Sequence, residues 1–486
     1  MNVPLRALNR FGLGARQGER QRTSDARGWL KAQLDAGAPI ARATESTSPA
    51  AIGGAVRALR MQGQRDEQER REARRRLVEL SASEARAALG TRVTSDRPFV
   101  ERLVAFWSNH LCVSAGGKIL VAPLAGSYER DVIRPHVLGR FEDMVLASAK
   151  HPAMLAYLDN FQSIGPSSPG AQAASQRSNG AKRGLNENYA RELLELHTLG
   201  VNGGYTQEDV QELARILTGW TIAGIPGPGA RMQPRRAGGG GGVRRVSTQR
   251  NGPLGFVFQE FLHEPGPKTI LKQRYKEDGV GEGERAIRAL CGHPSTAKFV
   301  ATKLATHFIS DDPPAAAIDR LARAFRSSEG DLKAVAIALV DEPDAWRDDA
   351  RKFRAPQDWF VAVLRAFGST EVNPNAPALL RQLRQPLWSP PSPKGYGDGM
   401  QEWADPDSLL NRGELARTIS RLPSVASVDP RSLLDVVDVP AGNPLHALIA
   451  DTSNRSIRWP TTRPRRSAAR ASTSGSSGTL QRYRLR

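Results

Sequence analysis

The chain has 486 residues, and its hydrophobic fraction of 39% allows a large core and excludes a fully disordered protein. The net charge of +19 suggests a nucleic acid partner at first sight. However, nine arginines lie in residues 454–486 and six in residues 231–250, without an acidic residue in either segment, so the rest carries only +4. No nucleic-acid-binding motif accompanies them, which argues against nucleic acid as the partner.

Other features of the sequence indicate the cellular compartment. No apolar run approaches the roughly 18 residues of a membrane-spanning helix, so the sequence predicts no transmembrane segment. The first twenty residues lack the apolar core of a signal peptide. The default location is therefore the cytoplasm, with the periplasm or cell envelope left open. Cys112 and Cys291 lie in apolar helical contexts and are expected to be free, buried thiols.

The dominant apolar period is helical, and it predicts elements along most of the chain. Trp29, Leu30 and Leu34 share one face of a short first helix, and residues 65–89 form a long charged helix. Apolar faces and proline starts predict the remaining helices at residues 97–114, 124–137, 141–149, 152–158, 186–200, 205–220, 283–290, 294–309, 314–325, 331–340, 356–367 and 407–422. His151 and His293, each before a proline, are expected in core or capping roles.

Two low-complexity segments interrupt this pattern. Residues 162–184 are rich in Gly, Ser, Pro and Gln, and residues 222–252 in Gly and Arg, so both are predicted to be disordered surface insertions. Between residues 256–258 and 269–271 the connection HEPGPK predicts a small β-hairpin. The expected fold is mainly α: one multi-helix globular domain over residues 1–450, with this hairpin and the two insertions.

Residues 454–486 differ in kind from everything before them. They are rich in Arg, Ser and Thr, contain no acid and have no periodicity, which predicts a disordered basic tail. The abrupt change is also what a shifted reading frame would produce. Resequencing of the coding region tests that hypothesis.

The stretch NENYARELLELHTLG, residues 186–200, gathers many polar groups in one predicted helix. A helical wheel at about 100° per residue places four of them on one stripe and His197 on the apolar side. The stripe consists of Asn188, Arg191, Glu192 and Glu195. Two interpretations stay open. Glu187, Arg191 and Glu195 can form a solvated i,i+4 ladder, with His197 a core histidine bonded to a backbone carbonyl. Alternatively, Glu192 and Glu195 can hold a cation or act as acid and base.

Further candidates lie elsewhere in the chain. VNGGYTQED resembles the second half of a calcium-binding EF-hand loop, but Thr198 and Gly200 stand where carboxylates are needed, and Thr206 as a helix cap explains the same residues. A divalent metal could be held by nitrogen and oxygen ligands from three separate segments: His110, Glu192, Glu195 and His263. The same four are the candidate catalytic residues, with Glu264 beside His263 in the hairpin connection. The glycine pattern GVGEGE, residues 279–284, is weak evidence for phosphate binding.

Several segments together resemble the bacterial family called domain of unknown function 1800. They are NRFGLGAR, FWSNHLCVSAGGK, HPAMLAYLDN, NENYARELLELHTLGVNGGYTQEDVQELARILTGWT, FLHEPGPKTIL and HPSTAKFVATKLATHFISDDPP. The resemblance runs from about residue 5 to residue 417, and it implies a largely helical protein without an established activity. It also implies a partner, a sulfatase- or phosphatase-like protein that commonly carries an export signal. Two positions depart from the family pattern: Glu264 replaces an aspartate, and Lys272 replaces a glycine. The family's C-terminal end is also replaced by the basic tail.

Two classes of function follow. The first is a non-enzymatic accessory or scaffold protein that acts with the exported hydrolase-like partner. The second is an uncharacterised hydrolase, with a divalent metal as an open option. Its site would combine His110, Glu192, Glu195 and His263, and the candidate substrate-binding groups are Asn188, Arg191 and Lys268.

Overall fold

A computed structural model describes residues 3–37, 52–56, 67–118, 120–175, 184–225, 253–421, 425, 428–436 and 442–444. Contacts group Met1–Asp438 into one unit and Val439–Arg486 into a second, of which residues 442–444 are described. The predicted tail, residues 454–486, and residues 226–252 of the second insertion lie outside the described ranges. The single domain over residues 1–450 therefore stays a prediction.

The prediction of a mainly α fold is confirmed. Apart from a short helical segment at residues 52–56, the α-helices of the described residues are α1 (Val3–Arg6), α2 (Ala26–Asp35), α3 (Glu67–Thr94), α4 (Pro98–His110), α5 (Ala125–Tyr128), α6 (Arg134–His136), α7 (Phe141–Lys150), α8 (Pro152–Tyr157), α9 (Pro169–Ser175), α10 (Asn188–Glu192), α11 (Gln207–Ile216), α12 (Val280–Cys291), α13 (Pro294–Phe308), α14 (Ala315–Ser327), α15 (Leu332–Asp341), α16 (Pro356–Ala366), α17 (Ala376–Gln382) and α18 (Pro406–Ile419). Wider π-helical turns occur at Ala7–Phe11, Glu129–Ile133 and Leu193–His197.

Local sequence sets many of the helix starts. Thr206 and Asp209 form a capping box at α11, in which each side chain accepts a hydrogen bond from the backbone N–H of the other residue. His151 and His293 cap α8 and α13, because Nδ1 of each ring accepts a backbone N–H two residues later. The capping role expected for these histidines is confirmed. The proline after each one fits the first helical turn, where no N–H donor is needed.

The predicted β-hairpin has the wrong strand pairing. Strand β1 (Trp220–Ala223) pairs antiparallel with β2 (Gly255–Phe258), in the register Trp220 to Phe258. A second small sheet pairs β3 (Lys268–Ile270) with β4 (Gln273–Tyr275). The tight turn of that sheet is Leu271-Lys272, whose φ angles of 49° and 66° are both left-handed, as a type I′ turn requires. The residues HEPGPK instead connect the two sheets.

The first insertion is shorter than predicted. Within residues 162–184, the part up to Ser175 is folded, and it includes helix α9. Glu264 fixes this part, because its Oε2 accepts a 2.7 Å hydrogen bond from the N–H of Ser167. Residues 176–183 lie outside the described ranges. The second insertion begins later than residue 222, since Ile222 and Ala223 belong to β1.

Aromatic side chains form the centre of the main core. Phe11 packs edge-on against Phe99 with ring centroids 5.7 Å apart, and it stacks on Trp346 at 5.1 Å. Helices α4, α7, α13 and α14 contribute further to this core. A separate core joins α3, α16 and α17. The expected free, buried thiols of Cys112 and Cys291 are confirmed. No helix in the described part of the chain combines the length and the apolar character needed to cross a membrane.

A cluster of ion pairs is buried between α3, α4 and the π-helical turn that follows α5. Arg134 contacts Glu101 at 2.8 Å and Glu129 at 3.0 Å, while Arg92 contacts Glu129 at 2.7 Å. Burial opposes ionisation of Glu129, but both arginines and the indole N–H of Trp388 hold the pKa of its carboxyl below the usual range. Each charge in this cluster therefore has a partner, which a buried charge requires.

Candidate functional site

The predicted polar ladder lies on α10 and the π-helical turn that continues it. Arg191 contacts Glu187 at 3.3 Å and Glu195 at 3.6 Å. Gln207, at the start of α11, accepts a 2.8 Å hydrogen bond from Arg191 and donates one of 2.7 Å to Glu187. The i,i+4 ladder is thus confirmed. Because these side chains are partly exposed, each pair contributes only a few tenths of a kcal/mol.

Glu192 is the carboxylate in this stripe that has no hydrogen bond to another described residue. Burial and the charge of Glu195 raise the pKa of Glu192, while Arg191 acts in the opposite direction. Burial and a hydrogen bond with Glu195 raise the pKa of the Tyr205 hydroxyl to about 12. Asn188 is exposed and donates to the carbonyl of Leu158 at 3.4 Å. Glu192 therefore has free capacity for a ligand or a proton.

His110 lies in the aromatic core. It is 2% exposed, and its Nε2 donates a 3.1 Å hydrogen bond to the backbone oxygen of His197. Its ring lies parallel to that of Phe106, with centroids 6.2 Å apart. Burial, with the nearby charge of Lys303, lowers the pKa of His110 to about 3. The imidazole is therefore neutral at physiological pH.

His197 is buried as the helical wheel predicted, with 1% exposure. Its Nε2 has no hydrogen-bond partner among the described residues, so the predicted bond from the ring to a backbone carbonyl does not involve this nitrogen. Its own backbone oxygen instead accepts the hydrogen bond from His110. Burial lowers the pKa of His197 to about 4.

His263, Lys268 and Glu282 form a buried hydrogen-bonded network, hereafter the buried triad, in which Glu282 Oε1 has no partner among the described residues. Lys268 Nζ donates to Glu282 Oε2 at 3.1 Å, to the Glu264 carbonyl at 2.6 Å and to His263 Nε2 at 3.3 Å. His263 Nδ1 lies 2.9 Å from the carbonyl of Thr218, so this nitrogen carries a proton. All three side chains are at most 4% exposed. The triad joins α12, β3 and the turn after α11.

The candidate residues do not converge on one point. His263 and Lys268 belong to the buried triad, His110 packs in the aromatic core, and Glu192 and Glu195 belong to the ladder. Among the described residues, no three His, Cys, Asp or Glu side chains are placed to hold a metal ion together. In the EF-hand-like segment, Asp209 serves the capping box and accepts a 2.7 Å hydrogen bond from the N–H of Leu271.

Three groups near these residues were not identified from the sequence. Glu282, the acid of the buried triad, lies in the glycine pattern GVGEGE, which forms the start of α12. A Cβ on Gly283 would lie 2.5 Å from the indole of Trp220, so the glycine permits close packing here, which explains the pattern without a phosphate. His307 and Asp398 form a 2.6 Å pair. Lys303 is the third: burial lowers the pKa of its ammonium, against the opposing charge of Asp398.

Comparison with known proteins identifies one family. The family model described as "Protein of unknown function (DUF1800)" matches residues 6–484, nearly the whole chain. No curated protein and no solved structure matches the chain. The chain therefore belongs to the DUF1800 family, as the segments around Asn186–Trp220 indicated.

Proposed function

We propose that the protein is a helical accessory protein that acts by binding a partner, and that it performs no chemistry of its own. The partner would be the sulfatase- or phosphatase-like protein implied by the family resemblance. The observation that carries this proposal is the burial of the triad away from solvent, because the triad contains two of the seven candidate residues.

An acid–base site must present at least one titratable group to its substrate. The three polar groups around Lys268 Nζ use all three protons of its ammonium, and the imidazole lies between a carbonyl and a carboxylate. These bonds join three segments of the fold, so they support a structural role. The Arg191 ladder supports the same conclusion, because Arg191 is paired with Glu187 and Glu195 and is bonded to Gln207 on α11.

Association between purified proteins tests the proposal. The full chain is mixed with the sulfatase- or phosphatase-like protein from the same genome, and complex formation is followed by sedimentation velocity. We expect a complex that the Glu192→Gln variant also forms, because this substitution keeps the size of the side chain. Absence of a complex between two folded proteins would contradict the proposal.

One observation favours a second candidate, a hydrolase. Glu192 is a half-buried carboxylate with a raised pKa, and Glu195 lies one helical turn away. A raised pKa lies closer to neutral pH, where a carboxyl can both donate and accept protons. Arg191, 38% exposed, could hold an anionic substrate group, whereas Lys268 is 2% exposed and already bonded.

Turnover distinguishes the two functions. Phosphate and sulfate monoesters are offered to the full chain and to Glu192→Gln, with the unfolding midpoint of each measured in parallel. The accessory proposal predicts no turnover by the chain alone. The hydrolase candidate predicts turnover that Glu192→Gln abolishes without loss of stability. Elemental analysis of protein purified without chelator or tag metal tests whether a divalent metal takes part.

A further inference from the structure

A cavity of about 680 Å³ lies between the start of the chain, the segment 348–354 and α16. This volume is in the range typical of small-molecule sites. Its lining is strongly cationic, with five basic side chains and one acid. The basic side chains are Arg10, Arg102, Arg351, Lys352 and Arg354, and the acid is Asp348. No candidate residue taken from the sequence lines it.

Carboxylates compensate only part of this charge. Asp358 pairs with Arg102 at 3.2 Å, and Asp311 pairs with Lys352 at 2.5 Å. The lining acid, Asp348, pairs with Arg6, which lies outside the lining. Arg10, Arg351 and Arg354 are left without an ion pair to any described carboxylate.

Two of these three arginines are held in place by backbone and amide groups. Arg10 is 8% exposed and donates to the carbonyls of Ile309 and Ala350. Arg354 donates to the backbone oxygen of Asn9 at 2.8 Å and to its side-chain oxygen at 3.2 Å. Such bonds orient a guanidinium but do not neutralise it. The cavity is therefore preorganised and short of negative charge.

The pKa values of the arginines agree with this shortage. Burial, with the charges of Arg6 and Arg102, lowers the pKa of Arg10 to about 10. Burial and Arg102 lower the pKa of Arg354 to about 10, although Asp358 opposes this. A bound anion would relieve both the repulsion and the cost of burial.

One wall of the cavity is apolar. Trp359, Ala362, Val363 and Ala366 line the cavity, and their spacing of i, i+3, i+4 and i+7 is that of one helical face. Val436 adds to the same wall. A single inorganic ion would fill the charged side of this cavity and leave the apolar side without a contact.

We propose that this cavity binds a small organic anion that carries a phosphate, sulfate or carboxylate group on an apolar body. The anionic group would lie against Arg10, Arg351 and Arg354, whose planar guanidinium groups suit such oxyanions. The apolar body would lie against Trp359 and the small residues of α16. Binding of a small anion in this cavity does not require a protein partner, so either proposal can fail alone.

Calorimetric titration of the full chain tests the site with four probes: 2-naphthyl phosphate, 2-naphthyl sulfate, 2-naphthoate and 2-naphthol. We expect at least one of the three anions to bind, with an affinity that falls as salt is added. Comparison among them identifies the head group. Inorganic phosphate and 2-naphthol should each bind at least about tenfold more weakly than the best anion, because each lacks half of the contacts. No binding by any anion, or equal binding by 2-naphthol, would overturn the proposal.

Substitutions locate the binding within the cavity. Arg354→Gln should weaken binding at least about tenfold, which is the usual cost of losing a hydrogen bond to a charged group. Arg351→Gln, at an exposed position, should weaken it severalfold and leave the fold intact. Ala366→Glu places a carboxylate in the wall and should also abolish binding.

Arg323→Gln is the matched control. Arg323 is exposed on α14, away from the cavity lining, and its loss changes the net charge by the same amount. We expect this variant to bind like the wild type. Retained binding in both Arg351→Gln and Ala366→Glu, or equal weakening by Arg323→Gln, would place the anion elsewhere.

Discussion

Glu282→Gln should destabilise the protein strongly, although it changes neither the size of the side chain nor its position. Glu282 is fully buried on α12, and its Oε2 lies 3.1 Å from Lys268 Nζ and 3.1 Å from His263 Nε2. A glutamine can still accept the hydrogen bond from Lys268. It cannot supply the negative charge, so an ammonium with 2% exposure loses its counter-charge.

The distance between Lys268 Nζ and Glu282 Oε2 sets the magnitude of the expected loss of stability. Two unit charges 3.1 Å apart attract each other by about 5 kcal/mol at an effective dielectric constant of about 20. Removal of one partner from a buried ion pair usually costs about 3–5 kcal/mol. We therefore expect Glu282→Gln to lower the free energy of unfolding by about 3–5 kcal/mol. That is about a fifth or more of the stability of a typical protein, about 5–15 kcal/mol.

Equilibrium unfolding in urea measures this loss of unfolding free energy, and two further variants serve as comparisons. Glu284→Gln is the matched control on the same helix, where the carboxylate is 25% exposed and pairs with Lys150. It should cost about 1 kcal/mol or less. The double variant Lys268→Met, Glu282→Gln removes both charges and should be more stable than Glu282→Gln alone, because the two sites are coupled.

The reasoning would be refuted by a loss no larger than that of Glu284→Gln. It would also be refuted if the double variant were no more stable than Glu282→Gln alone, since the unpaired ammonium would then not be the cause of the loss.

Three further predictions concern packing, backbone and pH. Gly283→Ala should lower the free energy of unfolding by about 1–3 kcal/mol, because the added Cβ would lie 2.5 Å from the indole of Trp220. Gly90→Ala is the control: nothing lies within 4 Å of its added Cβ, so it should raise the free energy of unfolding by up to about 1 kcal/mol. Lys272→Gly should stabilise the protein by about 1 kcal/mol in the same urea assay, because φ is 66° there; a loss of stability would contradict the turn geometry. His110 and His197 have folded pKa values of about 3 and about 4, below the unfolded value of about 6.5, so the unfolded chain binds more protons between these values. Stability should be complete above about pH 6.5 and fall by up to about 1.4 kcal/mol per pH unit for each histidine as the pH decreases. Urea unfolding across that range measures how the free energy of unfolding changes with pH. His197→Gln should reduce this slope by the contribution of one proton, up to about 1.4 kcal/mol per pH unit. An unchanged slope would contradict the buried, neutral state of His197.

The sequence predicted features that depend on neighbours along the chain. Helices followed from the apolar period, and the Thr206 cap from its position before α11, since both act within one or two helical turns. The ladder around Arg191 was predictable for the same reason, because i,i+4 side chains meet on any helix.

Features that depend on tertiary packing were missed. Strand β1 pairs with a strand more than thirty residues later, so no local pattern links Trp220 to Phe258. The turn at Leu271-Lys272 was not predicted, because neither residue favours a left-handed backbone as Asn and Gly do. Glu282 meets His263 across 19 positions through the packing of α12, and a carboxylate in a glycine-rich run gives no sign of that contact.

Association between this chain and the proposed sulfatase- or phosphatase-like partner tests the central claim most directly. Sedimentation velocity on the full chain with the sulfatase- or phosphatase-like protein from the same genome should show a complex, formed equally by the wild type and by Glu192→Gln. The chain alone should turn over neither phosphate nor sulfate esters. Turnover that Glu192→Gln abolishes, with no complex formed, would contradict the accessory role and place the chemistry at the half-buried carboxylate of α10.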